Sequence, residues 1–203
     1  MTSSVKRKLA SSNGDNSKKG PGHWSQALLT SMEDPELKID EDEKCVSIKD
    51  KYPKAKYHFL VLPREKISNL KSLKSEHVGL LKHLQLKGEE LAEKADDNLL
   101  FRYGYHAVPS MGQLHLHVIS QDFNSPCLKT KKHWNSFTTE YFIDSSKIIK
   151  QLEKHDMVEI NTADSESLLK KDLKCHVCQK QFTTLPALKS HISLHIVTRH
   201  KNT

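Results

Sequence analysis

The segment Gln113-Leu114-His115-Leu116-His117-Val118-Ile119 alternates polar and apolar residues with a period of two. Such a pattern has a use only in an extended strand, where successive side chains point to opposite faces. Gln113, His115 and His117 then share one face, while Leu114, Leu116 and Val118 pack into a core on the other. The strand presents two imidazoles and an amide side by side on a rigid support. A neutral imidazole suits nucleophilic attack on phosphorus, because it also leaves readily from the phosphoramidate it forms. The same alternation is compatible with histidines that pair across a sheet or hold a metal.

The flanking sequence supplies the rest of an α+β domain. A helix-like run covers 24–32, and an acidic stretch over 33–43 precedes a first strand at 45–49. A second strand at 57–62 is closed by Pro63, which cannot donate to a ladder. Ser68 and Ser75 are candidate N-caps before a long helix. Val78, Leu81, Leu84, Leu91 and Ala95 mark one face of that helix, which ends near 96–98. A third strand is expected at 99–106, a fourth at 113–120 and a closing helix at 141–154. Antiparallel strands interrupted by one long helix define the class.

The C-terminal part carries Cys175-x2-Cys178-x12-His191-x3-His195, the spacing of a two-cysteine, two-histidine ββα zinc finger. Phe182 and Leu188 fall where such a finger keeps its small core, and the zinc is structural, since a module of this size depends on the metal to fold. The organisation that follows is a disordered basic tail at 1–21, a catalytic domain at 22–156, a linker at 157–172 and the finger at 173–203.

Composition narrows the partners. The chain has 203 residues and a net charge of +7, with charges spread along its length, as suits a protein that meets polyanions. Its four cysteines, two of them in the finger, do not form a disulfide framework, so a reducing compartment is expected. No apolar run approaches the length of a membrane helix, and the first twenty residues are polar and basic, so no membrane partner is expected. Lys6-Arg7-Lys8 and Lys18-Lys19 form a bipartite import pattern, which points to a nuclear location, nucleoplasmic or nucleolar.

Several segments together resemble the histidine-triad superfamily, and within it a DNA-repair branch that ends in a finger. They are Gly22-His23-Trp24-Ser25, Lys51-Tyr52-Pro53-Lys54-Ala55-Lys56-Tyr57-His58, Gly104-Tyr105-His106-Ala107-Val108-Pro109-Ser110-Met111, His115-Leu116-His117-Val118-Ile119-Ser120-Gln121-Asp122-Phe123 and Lys131-Lys132-His133-Trp134-Asn135. The resemblance implies a histidine-triad fold and removal of adenylate from DNA 5′ ends. His115 would be the nucleophile that forms a covalent histidyl-AMP. His117 and Ser110 would hold phosphoryl oxygens, His58 would be a further site histidine, and His106 would meet the leaving 5′ phosphate. Asp50 would bind ribose, and Met111, Gln113 and Lys132 would complete the nucleotide and phosphate contacts, with Trp134 bracing the segment.

No metal is expected in that pocket. Lys54, Lys56, Lys129, Lys131, Lys180, Lys189 and Arg199 are the candidate DNA contacts, to phosphate in preference to bases. The implied partners are nicked or 5′-adenylated DNA and RNA–DNA junctions, with AMP as product and 3′-guanylate caps as a further substrate. Vertebrate members of the branch begin with a forkhead-associated domain. This sequence opens on the basic tail, so docking to phosphorylated scaffold proteins is not expected.

One position departs from the family pattern, which has histidine where this chain has Gln113. An amide keeps a donor and an acceptor but cannot carry a proton or a positive charge; because losing one preorganised donor at such a site costs on the order of 10²-fold to 10³-fold in rate, reduced or substrate-shifted activity is expected. Two other functions fit a weakened triad: a DNA-end-binding adaptor, or a hydrolase of free nucleotide conjugates.

Overall fold

The computed structural model describes residues 22–195. The basic tail with its import clusters, and Arg199, lie outside the described residues. In chain order the elements are α1 (Gly22–Glu33), β1 (Lys38–Glu41), β2 (Cys45–Lys49), β3 (His58–Pro63), two 3-10 turns (Leu70–Ser72 and Ser75–His77), α2 (Val78–Ala95), β4 (Phe101–His106), β5 (Leu116–Ser120), α3 (Lys131–Thr138), β6 (Phe142–Asp144), α4 (Ser145–His155), α5 (Thr162–Leu168), β7 (Leu173–Lys174), β8 (Gln181–Phe182) and α6 (Leu185–Ile192). Strands β1 to β6 form one antiparallel sheet in the order β1-β2-β3-β5-β4-β6.

The period-two patterns decide what each face of the sheet meets. Val61 of β3 and Leu116 and Val118 of β5 turn to one face, where Leu81, Leu84, Leu91 and Ala92 of α2 cover them. Gly88 lets the helix settle there, since a Cβ on it would stand 2.7 Å from a Val118 methyl. Leu60 and Leu62 of β3 and Val46 and Ile48 of β2 turn to the opposite face, against Leu28 and Met32 of α1. His58 and His117 lie on this second face, so α2 and its apolar layer form the floor beneath them.

The helix expected over the long apolar stripe is present as α2 and stops at Asp96, whose amide bonds Ala92 O. Other expectations need correction. The fourth strand begins at Leu116, because Leu114 N bonds Ile67 O and the Gln113 side chain reaches Pro63 O and Glu65 O, outside the ladder. The closing helix begins at Ser145, since Phe142–Asp144 pair with β4 as an edge strand. Neither expected cap acts as one: Asn69 caps the first 3-10 turn through its side chain, and Ser75 lies inside the second. The acidic stretch contains β1, which pairs with β2.

Between α4 and β7, where a linker is expected, the chain forms α5, and Val158 and Leu169 are buried. The finger is joined to the larger sheet by a shared core: Leu173, Cys175, Leu188 and Ile192 cluster with Ile119, Phe123, Trp134 and Phe137. Among the described residues no helix is long and apolar enough to cross a membrane.

Candidate active site

Four histidines converge on the second face of the sheet. His58 opens β3, His106 closes β4, His117 lies in β5 and His115 stands just before it. Register explains the convergence: His117 sits opposite Leu60 on β3 and Gly104 on β4, so neighbouring strands bring His58 and His106 to its two sides. Gly104 permits the close approach of β4 and β6, since a Cβ there would stand 2.4 Å from Ile143 O. The His106 and His117 ring centroids are 4.4 Å apart, and those of His115 and His117 are 4.8 Å apart.

Hydrogen bonds set the tautomers. The ring Nδ1 of His115 is 2.7 Å from Gln113 O, and a carbonyl only accepts, so Nδ1 carries the proton. Its Nε2 is left with a lone pair. Lys54 N donates to His58 Nδ1 at 3.2 Å, so His58 bears its proton on Nε2, which lies 2.9 Å from His117 Nδ1. His117 therefore accepts at Nδ1 and carries its own proton on Nε2. That Nε2 is buried without a partner, as is His106 Nε2. An unpaired buried donor is costly, and a ligand oxygen is the group that would satisfy it.

All four imidazoles are held neutral. Burial pushes His58 down to about 4, against a smaller opposing effect of Asp50, whose Oδ2 is 3.5 Å from His58 Nδ1. Burial likewise lowers His115 and places His106 and His117 well below the ordinary imidazole range. Phe137 of α3 contributes to this dry setting, since its ring contacts those of His58, His106 and His117 at centroid distances of 5.2, 4.7 and 5.3 Å.

The histidines line a cleft of about 930 Å³. Leu28, Ile48, Leu60 and Met111 make one apolar end, and six lysines, Lys49, Lys51, Lys54, Lys129, Lys132 and Lys170, reach its walls. Asp50 and Ser110, expected in the site, are also on the wall, and Asp50 Oδ1 accepts from Tyr52 N at 2.7 Å. Gln113 is absent from the lining: its buried amide donates to Pro63 O at 3.1 Å and Glu65 O at 2.9 Å. Its contribution to the site is its own carbonyl, which orients His115.

The expected DNA-contacting lysines divide. Lys54 and Lys129 line the cleft. Three others are engaged elsewhere: Lys56 with Asp96, Lys131 with Asp172, and Lys189 with Ser125 O. Lys180 lies over the Phe182 ring in the finger. Trp134 braces its segment as expected, donating Nε1–H to Lys174 O at 3.0 Å. Tyr141, Glu166, Leu169 and Lys170 line the cleft without having been anticipated, because nothing in their local pattern distinguishes them from ordinary helix and loop residues. Phe137 gave no signal either.

In the finger, Cys175, Cys178, His191 and His195 place one ligand atom each within 4.8 Å of one another. Cys178 Sγ is 3.2 Å from His191 Nε2, which is 3.0 Å from His195 Nε2. Two thiols and two imidazole nitrogens converging this way suit tetrahedral zinc. Among the described residues, two further groups bring one ligand atom each within the same distance of one another. In the first, His58 and His117 are engaged in the tautomer chain described above, and Asp50 Oδ1 accepts from Tyr52 N. Asp42, Cys45 and His83 have a carboxylate already bonded to Lys44 N, Cys45 N and His83, with the Lys87 ammonium 3.8 Å away.

An antiparallel sheet over one long helix, with alternating histidines beside an anion-ready cleft, defines a histidine-triad protein followed by a finger. The comparisons agree with that class: residues 23–133 match the "Scavenger mRNA decapping enzyme C-term binding" family and residues 138–197 the "C2HE / C2H2 / C2HC zinc-binding finger" family. Aprataxin of Gallus gallus is 56% identical over 176 residues, covering 86% of this chain and 55% of that protein. The aprataxin-like protein of Saccharomyces cerevisiae is 31% identical over 209 residues, covering 84% of this chain and 95% of that protein. A crystal structure of the aprataxin ortholog Hnt3 in complex with DNA superposes with a TM-score of 0.67 at 26% identity, over 86% of this chain and 93% of that one. The chain belongs to the aprataxin family. It spans about half the length of the animal aprataxin it matches.

Proposed function

We propose that this protein is a nuclear DNA-repair hydrolase that removes adenylate from DNA 5′ ends. The observation that carries the reading is the His115 imidazole, whose Nδ1–H is committed to Gln113 O so that an unprotonated Nε2 remains for attack. In the first step Nε2 attacks the AMP phosphorus, the bond to the bridging oxygen breaks, and the electron pair leaves on the DNA 5′ phosphate. Water then attacks the phosphoramidate, releasing AMP and restoring His115.

The remaining groups support that sequence. His117 Nε2–H stabilises charge on the phosphoryl oxygens, which is where preorganised donors contribute most. His106 meets the leaving phosphate. The apolar end formed by Leu28, Ile48, Leu60 and Met111 takes the adenine, with Asp50 on the ribose and Ser110 and Lys132 on the phosphates. The lysine-lined walls take the DNA backbone, at nicks, ends or RNA–DNA junctions. A 3′-guanylate cap offers the same reacting centre. When bound, zinc holds the finger's fold through Cys175, Cys178, His191 and His195, and the chemistry rests on the histidines.

The test is turnover on a nicked duplex with a labelled 5′-AMP, with His115→Ala alongside. AMP release by the parent alone, with label trapped on His115 after a denaturing quench at alkaline pH, where the phosphoramidate survives, is expected. Nick binding without release would favour the adaptor reading.

A further inference from the structure

The sheet order gives the cleft a direction. Its apolar end lies over β2 and β3, the histidines lie over β3 and β5, and the far end lies beyond β4, where His106 and Tyr141 stand. The wall at that far end is the last turn of α5 and the residues that follow it. Glu166 lies near enough to Tyr141 for its charge to act on the phenol, and Leu169 and Lys170 continue the wall.

This wall is built, because Asn135 on α3, 1% exposed, donates its side-chain amide to Leu169 O at 3.1 Å and to Lys171 O at 2.7 Å. The carbonyl between them, Lys170 O, accepts from Lys131 Nζ at 3.4 Å. Three consecutive carbonyls are thereby pinned. The Lys170 side chain itself is exposed, lines the cleft and makes no ion pair among the described residues. Neighbouring Lys131 and Lys171, by contrast, are paired with Asp172 and Glu140.

A cation on a fixed backbone, at the end of the cleft away from the nucleoside slot, fits an anion on the departing side of the reacting phosphorus. We propose that Lys170 binds the phosphodiester backbone of the strand that carries the leaving 5′ phosphate, and so favours polynucleotide leaving groups over small ones. The direction assigned to the substrate rests on the adenylate reading given above.

The test uses the full zinc-loaded chain with Lys170→Ala and Lys170→Arg. Binding to an unadenylated, 5′-phosphorylated nicked duplex is measured by anisotropy across a salt series. Turnover is measured on an adenylated nick and on an AMP phosphoramidate of a small amine. For Lys170→Ala the expected result is duplex binding about fivefold weaker at low salt, and a salt slope smaller by about one counterion. The ratio of KM for the nick to KM for the small conjugate should rise by about the same factor, and Lys170→Arg should restore both. Unchanged duplex binding and salt slope, or equal losses on both turnover substrates, would overturn the proposal. If the parent turns over no adenylated nick, the adenylate reading fails, while the duplex-binding arm still decides whether Lys170 holds DNA.

Discussion

His58 Nε2 stands 2.9 Å from His117 Nδ1, and the backbone amide of Lys54, by donating to the other nitrogen of His58, determines which of the two rings carries the shared proton. The arrangement turns the His117 N–H into the cleft. His58→Ala should leave the His117 ring free to take either tautomer and lower kcat by about tenfold to a hundredfold, with a smaller change in KM. His58→Gln, which keeps one acceptor and one donor, should recover much of the loss. Steady-state kinetics on the adenylated nick checks both; equal activity in the Ala and Gln variants would remove the relay from the account.

Gln113→His should change turnover by no more than a few-fold. The Gln113 amide faces Pro63 O and Glu65 O, away from the cleft, and the carbonyl that orients His115 survives any substitution. A histidine donates one N–H there where the amide donates two, so a stability loss of about 1 kcal/mol is expected. A gain of a hundredfold or more in kcat would show that the position reaches substrate after all.

Acid should weaken the fold before it protonates the folded site. Each of the four cleft histidines has its proton affinity lowered by burial, His58 to about 4 from an ordinary 6.5. Above pH 6.5 their contribution to stability is fully present. As pH falls from about 6.5 towards 4 the unfolded chain takes up protons that the folded chain refuses, so stability drops through that window. Thermal melts at pH 7.5 and pH 5 should differ clearly in Tm, and the acid limb of kcat/KM should lie below 6.5. A Tm flat across that interval would contradict the burial argument.

Zinc removal should be felt beyond the finger. Cys175, Leu188 and Ile192 share one apolar cluster with Phe123, Trp134 and Phe137, and His176 Nε2 donates to Gln121 O at 2.9 Å, just past β5. Chelation should change the tryptophan emission and speed hydrogen exchange in α3 as well as in 173–195. Exchange confined to the finger would mean that the shared core tolerates its loss.

The parts of this molecule legible in the sequence were those whose signal is local. The alternation at 113–119 showed the histidine face, the stripe from Val78 to Ala95 showed α2, and the cysteine and histidine spacing showed the finger. What escaped depended on distant partners. Residues Lys38–Glu41 have one apolar side chain, Ile39, and form a strand only because β2 is there to pair with them. Phe142 and Ile143 continue the apolar rhythm of α4 but are drawn into the sheet by β4. The wall at Lys170 has no motif, since it exists through carbonyls held by Asn135, more than thirty positions earlier.

The bond from Trp134 Nε1 to Lys174 O, forty residues further along the chain, also has a consequence in time. A ribosome releases the histidines and α3 well before the residues that cover Trp134. Until the finger emerges and takes up metal, the nascent protein holds its reactive imidazoles beside an apolar surface open to water. Competence then waits on the finger, and a ribosome stalled before Cys175 would leave a chain with all four cleft histidines and an unfinished cleft.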